Sequence, residues 1–358
     1  MKRILFITHQ LSLSGAPIVL LDFIRTVREE GYGVEVLSLT EGPLSGTLDE
    51  MEIPWRIKEE LLKDWRGLFE ELHDYCAVVV NTLVSYPAIT LLKHTKIPTI
   101  WWLHETEWFF ETYDRMPDLT PKLTELPENI HLLSVSPAVQ EIIQRRYGIE
   151  TPVQPFCVPD RPYQPKDRER TVRFLTLASF GSAKGQDVLA EAIRLLPESV
   201  RKQCSFSMYG GILQQEPDFK DRVETILSGV EEASVHPAVS HEEAVKLMED
   251  CDFCVIPSRE EPFSAVAVDG MVLHKPSILT EVCGVTAWPK DAKNALFCPA
   301  DNPEALSLRI REAAELYLNR PDLYTALGNG ARAVYDAVFS PVKFAASIRD
   351  LLKEVGVS

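Results

Sequence analysis

At 358 residues the chain exceeds the length at which one hydrophobic core usually keeps growing, so two domains are expected. A formal net charge of -16 excludes a nucleic-acid partner, which would need a concentrated basic face, and the acidic excess in both halves serves solubility. No apolar run reaches the roughly eighteen residues of a membrane span. The seven cysteines are odd in number and lack disulfide-framework spacing, and the apolar N-terminal run is too short for a signal peptide, so a reducing cytoplasm is expected.

Arg3-Ile-Leu-Phe-Ile-Thr8 is an apolar strand-like run that enters the loop Leu11-Ser-Leu-Ser-Gly-Ala-Pro17. Ile18 to Glu30 then shows helical periodicity closed by Gly31. Strands are predicted at 33–39, 77–80, 99–103 and 131–135, with helical segments between them. Apolar strands alternating with helices imply a parallel sheet covered on both faces. Five prolines between Thr151 and Arg170 mark a linker. A second series follows, with strands at 172–177, 205–209, 253–256 and 277–279, and Ser240 and Glu243 at capping-box spacing. Cys251-Asp-Phe-Cys254 has no second pair to complete a zinc site, and its strand-like setting makes both cysteines buried apolar residues. Beyond Glu304 the pattern is helical, broken at Ser340-Pro341. The last helix, 342–355, carries an apolar face at Phe344, Ile348, Leu351 and Leu352 that needs a surface to cover.

The fold class is therefore α/β, with two Rossmann-like doubly wound domains facing a central cleft and ligands at the carboxyl ends of the strands. Expected boundaries are 1–155, a linker at 156–170, a second domain at 171–338, and a C-terminal helix at 339–358 packing back on the first domain.

One stretch, Pro257-Ser-Arg-Glu-Glu-Pro-Phe-Ser-Ala-Val-Ala-Val-Asp-Gly270, begins where an apolar strand ends. Pro262 suits the first position of a helix. Glu261 would then sit at the mouth of the sheet and Asp269 about two turns along the helix. The free amides of Phe263, Ser264 and Ala265 would face an anion such as a diphosphate. On these residues alone a favourable acid at a helix start explains the stretch equally well.

The stretch resembles the E-x7-E motif of the retaining GT-B glycosyltransferases of the large family 4, in which PS-x-x-E-P-F-G precedes a helix and a second acidic residue. Here Glu261 and Asp269 take the two acidic positions. The similarity continues through residues 270–280 and 294–306. Leu175-Thr-Leu-Ala-Ser-Phe-Gly-Ser-Ala-Lys-Gly-Gln-Asp187 resembles the family's strand, loop and K-G-x-D. Ser14-Gly15-Ala16 resembles its glycine loop, and Trp101-Trp-Leu-His-Glu105 its strand end with a His-Asp or His-Glu pair. Outside such blocks, a lysine before glycine is an ordinary surface residue and a lone histidine at a strand end is structural.

The resemblance implies transfer of a sugar from a nucleotide-diphosphate donor, a UDP-sugar by frequency, to an acceptor hydroxyl with retention, in surface glycan or glycoconjugate synthesis. Glu261, Lys184 and His104 would be the catalytic residues: Glu261 holds sugar hydroxyls, Lys184 neutralises the diphosphate, and His104 lies near the transferred sugar. Gly15, Ala16, Ser179, Lys184, Phe263, Ser264, Ala265 and Asp269 would line the donor, with Asp269 on the ribose. The acceptor would be a glycan, a lipid-linked sugar or a protein, with peripheral contact to the inner face of a membrane. No cofactor and no metal is expected, because no obvious D-x-D signature for a metal-diphosphate bridge stands out and a lysine with a helix N-terminus can do the neutralisation. Two departures stand out: Ser179 where many members carry an arginine, and Asp269 in place of glutamate. They leave open an inactive GT-B subunit that binds an acceptor protein or partner transferase, and, more distantly, a nucleotide-sugar epimerase.

Overall fold

The apolar runs pair into two six-stranded, wholly parallel sheets. The computed structural model describes residues 1–13, 15–58, 65–165 and 168–357; Ser14 of the glycine loop, Lys166 and Asp167 of the expected linker, and Ser358 lie outside them. The chain divides into one unit of residues 1–157 with 341–358 and a second of residues 158–340.

The first sheet contains β1 (Arg3–Thr8), β2 (Gly33–Ser38), β3 (Trp55–Ile57), β4 (Ala77–Asn81), β5 (Thr99–Leu103) and β6 (Ile130–Ser134), in the order β3-β2-β1-β4-β5-β6. β4 and β5 are buried at every position because helices cover both faces. The helix Gly15–Glu29 lays Phe23 edge-on against Phe6 and Trp102, with ring centroids 5.6 and 5.7 Å apart. The last helix, Pro341–Glu354, belongs to this unit: it buries Phe344, Ile348, Leu351 and Leu352, and Phe344 meets Phe23 at 6.1 Å. Each such side chain contributes roughly 1.5–3 kcal/mol by leaving water. Trp101 and Trp102 are fully buried, and their indole N–H groups donate to the carbonyls of Thr82 and Gln154 at 2.8 and 3.0 Å.

The second sheet contains β7 (Val172–Leu177), β8 (Cys204–Tyr209), β9 (Ala233–His236), β10 (Phe253–Ile256), β11 (Ser277–Thr280) and β12 (Leu296–Cys298), in the order β12-β11-β10-β7-β8-β9. It repeats the connectivity of the first sheet. Phe174 stacks between Phe206 and Phe253 in its core. Ser240 and Glu243 form a reciprocal capping box at the start of the helix His241–Asp250. Cys251 and Cys254 are buried and unbridged, with sulfurs 3.9 Å apart, and all seven cysteines are free.

Strands β3, β9 and β12 escape the sequence reading. All three lie at sheet edges, and every residue of β3 and β9 is only half-buried, so neither shows the continuous apolar run of an interior strand. Among the described residues, no helix is long and apolar enough to cross a membrane, and no three His, Cys, Asp or Glu side chains group as a metal site would require. Strand order reverses between β1 and β4 in one sheet and between β7 and β10 in the other, the positions where open α/β sheets take ligands.

Candidate functional site

At the switch point of the second sheet, the chain leaves β7 into a single tight turn, Ser182–Lys184, which ends at Gly185 with φ +67°. A Cβ on Gly185 would lie 2.0 Å from the Pro257 carbonyl oxygen. Only glycine lets the two loops touch here. The amides of Arg259 and Glu260 both donate to the Ala183 carbonyl, at 2.8 and 3.2 Å. The Arg259 guanidinium adds bonds to the Ser182 carbonyl at 2.7 Å and to both oxygens of Asp187 at 2.8 and 3.1 Å. Asp187 is nearly fully buried and also meets Arg222 at 2.9 Å, so its charge is doubly compensated. Buried Gln186 donates to the carbonyls of Ala178 and Ser179. Arg259, Asp187 and Gln186 were not singled out as site residues from the sequence, although all three stand inside the two motif blocks.

This cross-bonding places Lys184 Nζ 2.8 Å from Glu261 Oε2. Burial alone would depress the lysine pKa, but the Glu261 carboxylate outweighs it and holds the ammonium above its ordinary value. The Glu261 and Phe263 carbonyls accept from the amides of Gly284 and Val285, at 2.8 and 3.0 Å. Segment 261–263 is therefore extended along 283–285, which corrects the expectation that Pro262 opens a helix. The helix is Ala265–Val272, capped by the Ser264 hydroxyl, which accepts from the Ala267 amide at 3.4 Å. Its unpaired leading amides thus begin at Ala265, not Phe263, and the Phe263 ring is buried against Trp288 and Phe339. Ser264 adopts φ +97°, a strained value for a residue with a side chain. Asp269 lies little more than one turn into the helix, not two, and is 9% exposed. Burial pushes its carboxyl upward, while Arg161 and His241 pull it down. Ser179 is exposed at the end of β7, with its carbonyl held by Gln186.

At the switch point of the first sheet, Gly15 opens its helix and Ala16 offers its carbonyl to Asn81 Nδ2 at 3.0 Å. A Cβ on Gly15 would meet nothing within 4 Å, so packing does not demand this glycine. Thr82, missed from the sequence, has φ 75° and ψ 153°, a region nearly restricted to glycine. Three contacts impose it: its amide donates to the Trp102 carbonyl at 2.9 Å, its carbonyl accepts from Trp101, and its hydroxyl meets His9 Nδ1 at 3.0 Å. Next to it, buried Glu105 accepts from the amides of Leu83 at 2.5 Å and His104 at 2.7 Å. The His104 ring lies 4.4 Å from that of Trp102, and its Nε2 is buried without a hydrogen-bond partner among the described residues.

Burial drives His104 down to about 3 and Glu105 up to about 7, against the pull of the amides that Glu105 binds. Glu105, ordinarily at 4.5, therefore makes stability fall as pH rises from about 4.5 to about 7. His104, ordinarily at 6.5, makes stability rise with pH between about 3 and 6.5. The two slopes, each about 1.4 kcal/mol per pH unit, oppose one another where they overlap. In urea titrations across that overlap, Glu105→Gln is expected to gain a positive slope relative to the parent and His104→Asn a negative one. Parallel curves for all three proteins would contradict the assignment.

The structure thus gathers Lys184, Glu261, Ser264, Ala265 and Asp269 in the second unit, and Gly15, Ala16 and His104 in the first, each group at the carboxyl ends of its own strands. Comparison with known proteins bears on the fold and the family of the chain that carries these groups. A model of the family "Glycosyl-transferase family 4" matches residues 1–131, and one of "Glycosyl transferases group 1" matches residues 161–334. A glycosyltransferase of Methanocaldococcus jannaschii, itself uncharacterized, is 29% identical over 181 residues, which take in 51% of this chain and 48% of that protein. The match thus spans about half the length of the curated relative. Among solved structures, a glycosyltransferase from Rickettsia africae ESF-5 superposes with a TM-score of 0.81 at 16% identity, covering 99% of this chain and 98% of that one. Anabaena HepE in complex with UDP-glucose gives 0.82 at 17% identity, covering 99% and 100%. Sucrose-phosphate synthase from Thermosynechococcus elongatus gives 0.75 at 18% identity, covering 99% of each chain. With the two family models matched in chain order and together taking in most of its length, this chain belongs to the group 1 glycosyltransferase family, and the solved structures show that it shares the GT-B fold.

Proposed function

We propose that the protein transfers a sugar from a nucleoside-diphosphate sugar to an acceptor hydroxyl with retention of configuration, and that the donor is held on the second unit. The observation that carries this reading is the Lys184–Glu261 pair at the switch point between β7 and β10. A departing diphosphate needs fixed positive charge where its own negative charge develops. The Lys184 ammonium supplies it, and the leading amides of the helix Ala265–Val272 add a second positive end. Glu261 then turns to the sugar hydroxyls, Asp269 to the ribose, and His104, neutral at physiological pH, to the sugar face. Gly15 and Ala16 leave room for the backbone to approach a ligand. The UDP-glucose bound by the Anabaena protein supports a UDP-sugar donor, and a role in surface glycan or glycoconjugate assembly accords with that chemistry. The inactive-subunit alternative finds no support, because both charged partners are present and paired.

The test is release of nucleoside diphosphate across a panel of UDP-, GDP-, ADP- and dTDP-sugars. One donor class is expected to turn over, at a rate unchanged by excess EDTA because Lys184 does the neutralising. No turnover of any donor would overturn the reading, and abolition by EDTA would overturn its metal independence.

A further inference from the structure

At the switch point of the first sheet, a chain of hydrogen bonds ends on an open imidazole nitrogen. His9 directly follows β1, and Thr82 directly follows the neighbouring strand β4. The Ser85 hydroxyl lies 2.6 Å from the Asn81 carbonyl oxygen, which can only accept, so the one proton of Ser85 is used there. At 3.4 Å from Ser85 Oγ, the Thr82 hydroxyl is then the donor of that pair. With its own proton engaged, Thr82 Oγ1 accepts from His9 Nδ1 at 3.0 Å. A neutral imidazole with its hydrogen on Nδ1 carries a bare lone pair on Nε2. Burial holds His9 below its ordinary 6.5, which keeps the ring neutral at physiological pH.

His9 Nε2 bonds to no described residue and, unlike Nε2 of His104, is not sealed from solvent. The residue is held from two sides: Thr82 fixes its ring, and its carbonyl accepts from the Thr40 hydroxyl at 3.1 Å. Ser85 and Thr82 are 0% and 3% exposed, so water does not compete for the bonds that set the ring. Thr82 keeps φ 75°, where glycine would sit without strain. What threonine adds is the hydroxyl that directs His9, and strain of this kind persists at functional sites. Bracing Thr82 asks for Nδ1 alone and leaves the bare Nε2, at the crevice where α/β sheets take ligands, without a use.

We propose that His9 is the general base of the transfer, taking the proton of the attacking hydroxyl on Nε2, with Thr82 and Ser85 as the positioning residues that fix its tautomer. This rests on the transfer reaction proposed above and adds to it a catalytic residue that lies outside every motif block. In the step, the hydroxyl oxygen forms a bond to the anomeric carbon while the bond from that carbon to the diphosphate oxygen breaks, and the diphosphate leaves with that electron pair. The hydroxyl proton passes to Nε2. The imidazolium, disfavoured by burial, releases it to water as the product departs.

The experiment is release of nucleoside diphosphate by the full chain from its preferred donor, with water in the place of the acceptor hydroxyl. His9→Ala is expected to lower turnover about 100-fold or more, while calorimetry shows the nucleoside diphosphate binding as it does to the parent. Added imidazole, which can enter the space left by the ring, should raise turnover of His9→Ala about tenfold and leave the parent unchanged, a rescue that a merely structural histidine would not give. His9→Gln serves should the alanine variant fail to fold: its amide can still bond to Thr82 but takes no proton, so turnover should fall as far. Thr82→Gly, which accepts the dihedral without strain, should also lose turnover, because nothing then sets the tautomer. Parental turnover in His9→Gln or Thr82→Gly, or a loss in His9→Ala that imidazole does not repair, overturns the role of His9 alone. No turnover of any donor by the parent overturns the transfer reading, and the base with it.

Discussion

Lys184→Ala is expected to lower kcat about 100- to 1,000-fold, the usual effect of removing one preorganised group from a developing negative charge. The lysine is held by geometry from both sides: Gly185 lets its loop lie against Pro257, and Glu261 keeps the ammonium 2.8 Å away. Its side chain is 31% exposed, so solvent screens the pair and its loss should move the melting temperature little. Glu261→Ala should produce a loss of similar order. The double variant should fall well short of the product of the two single effects, because the partners act as one unit. Initial-rate kinetics on the preferred donor, with circular dichroism as the folding control, make the check. Near-normal turnover in both folded single variants would remove the pair from the chemistry.

Gly185→Ala is the substitution expected to harm both fold and rate. The residue sits at φ +67°, and the new methyl would lie 2.0 Å from a backbone carbonyl oxygen that no side-chain rotation can move away. The strained dihedral costs about 1–2 kcal/mol, and relieving the clash adds about 1–3 kcal/mol of backbone displacement. The shift would pull Ala183 from the Arg259 and Glu260 amides and carry Lys184 with it. A displacement of about 1 Å in a positioning group can cost about 100-fold in rate. Urea unfolding and kcat should therefore fall together. Gly15→Ala is the contrast: nothing lies within 4 Å of its Cβ position, so stability should hold. A Gly185→Ala protein with the parent's stability and rate would mean that the two loops are not in contact.

The interior of each sheet was legible because its cause is local. β4, β5 and β10 are buried at every position and read as continuous apolar runs, and Pro257 directly after β10 marks the carboxyl end where a ligand can sit. Family resemblance singled out Lys184 and Glu261, and the structure joins them. What tertiary structure alone decided depends on partners far along the chain. The edge strands β3 and β9 owe their place to a neighbour's hydrogen bonds rather than to burial. The helix after Glu261 starts at Ala265 because residues 261–263 pair with 283–285. Thr82 holds its strained conformation through Trp101, Trp102 and His9. Arg161 reaches Asp269 from a proline-rich stretch that read only as a linker. Periodicity records which faces leave water, and those faces are set residue by residue. Hydrogen bonds and ion pairs between remote segments leave no period behind, so they exist only once the chain has folded.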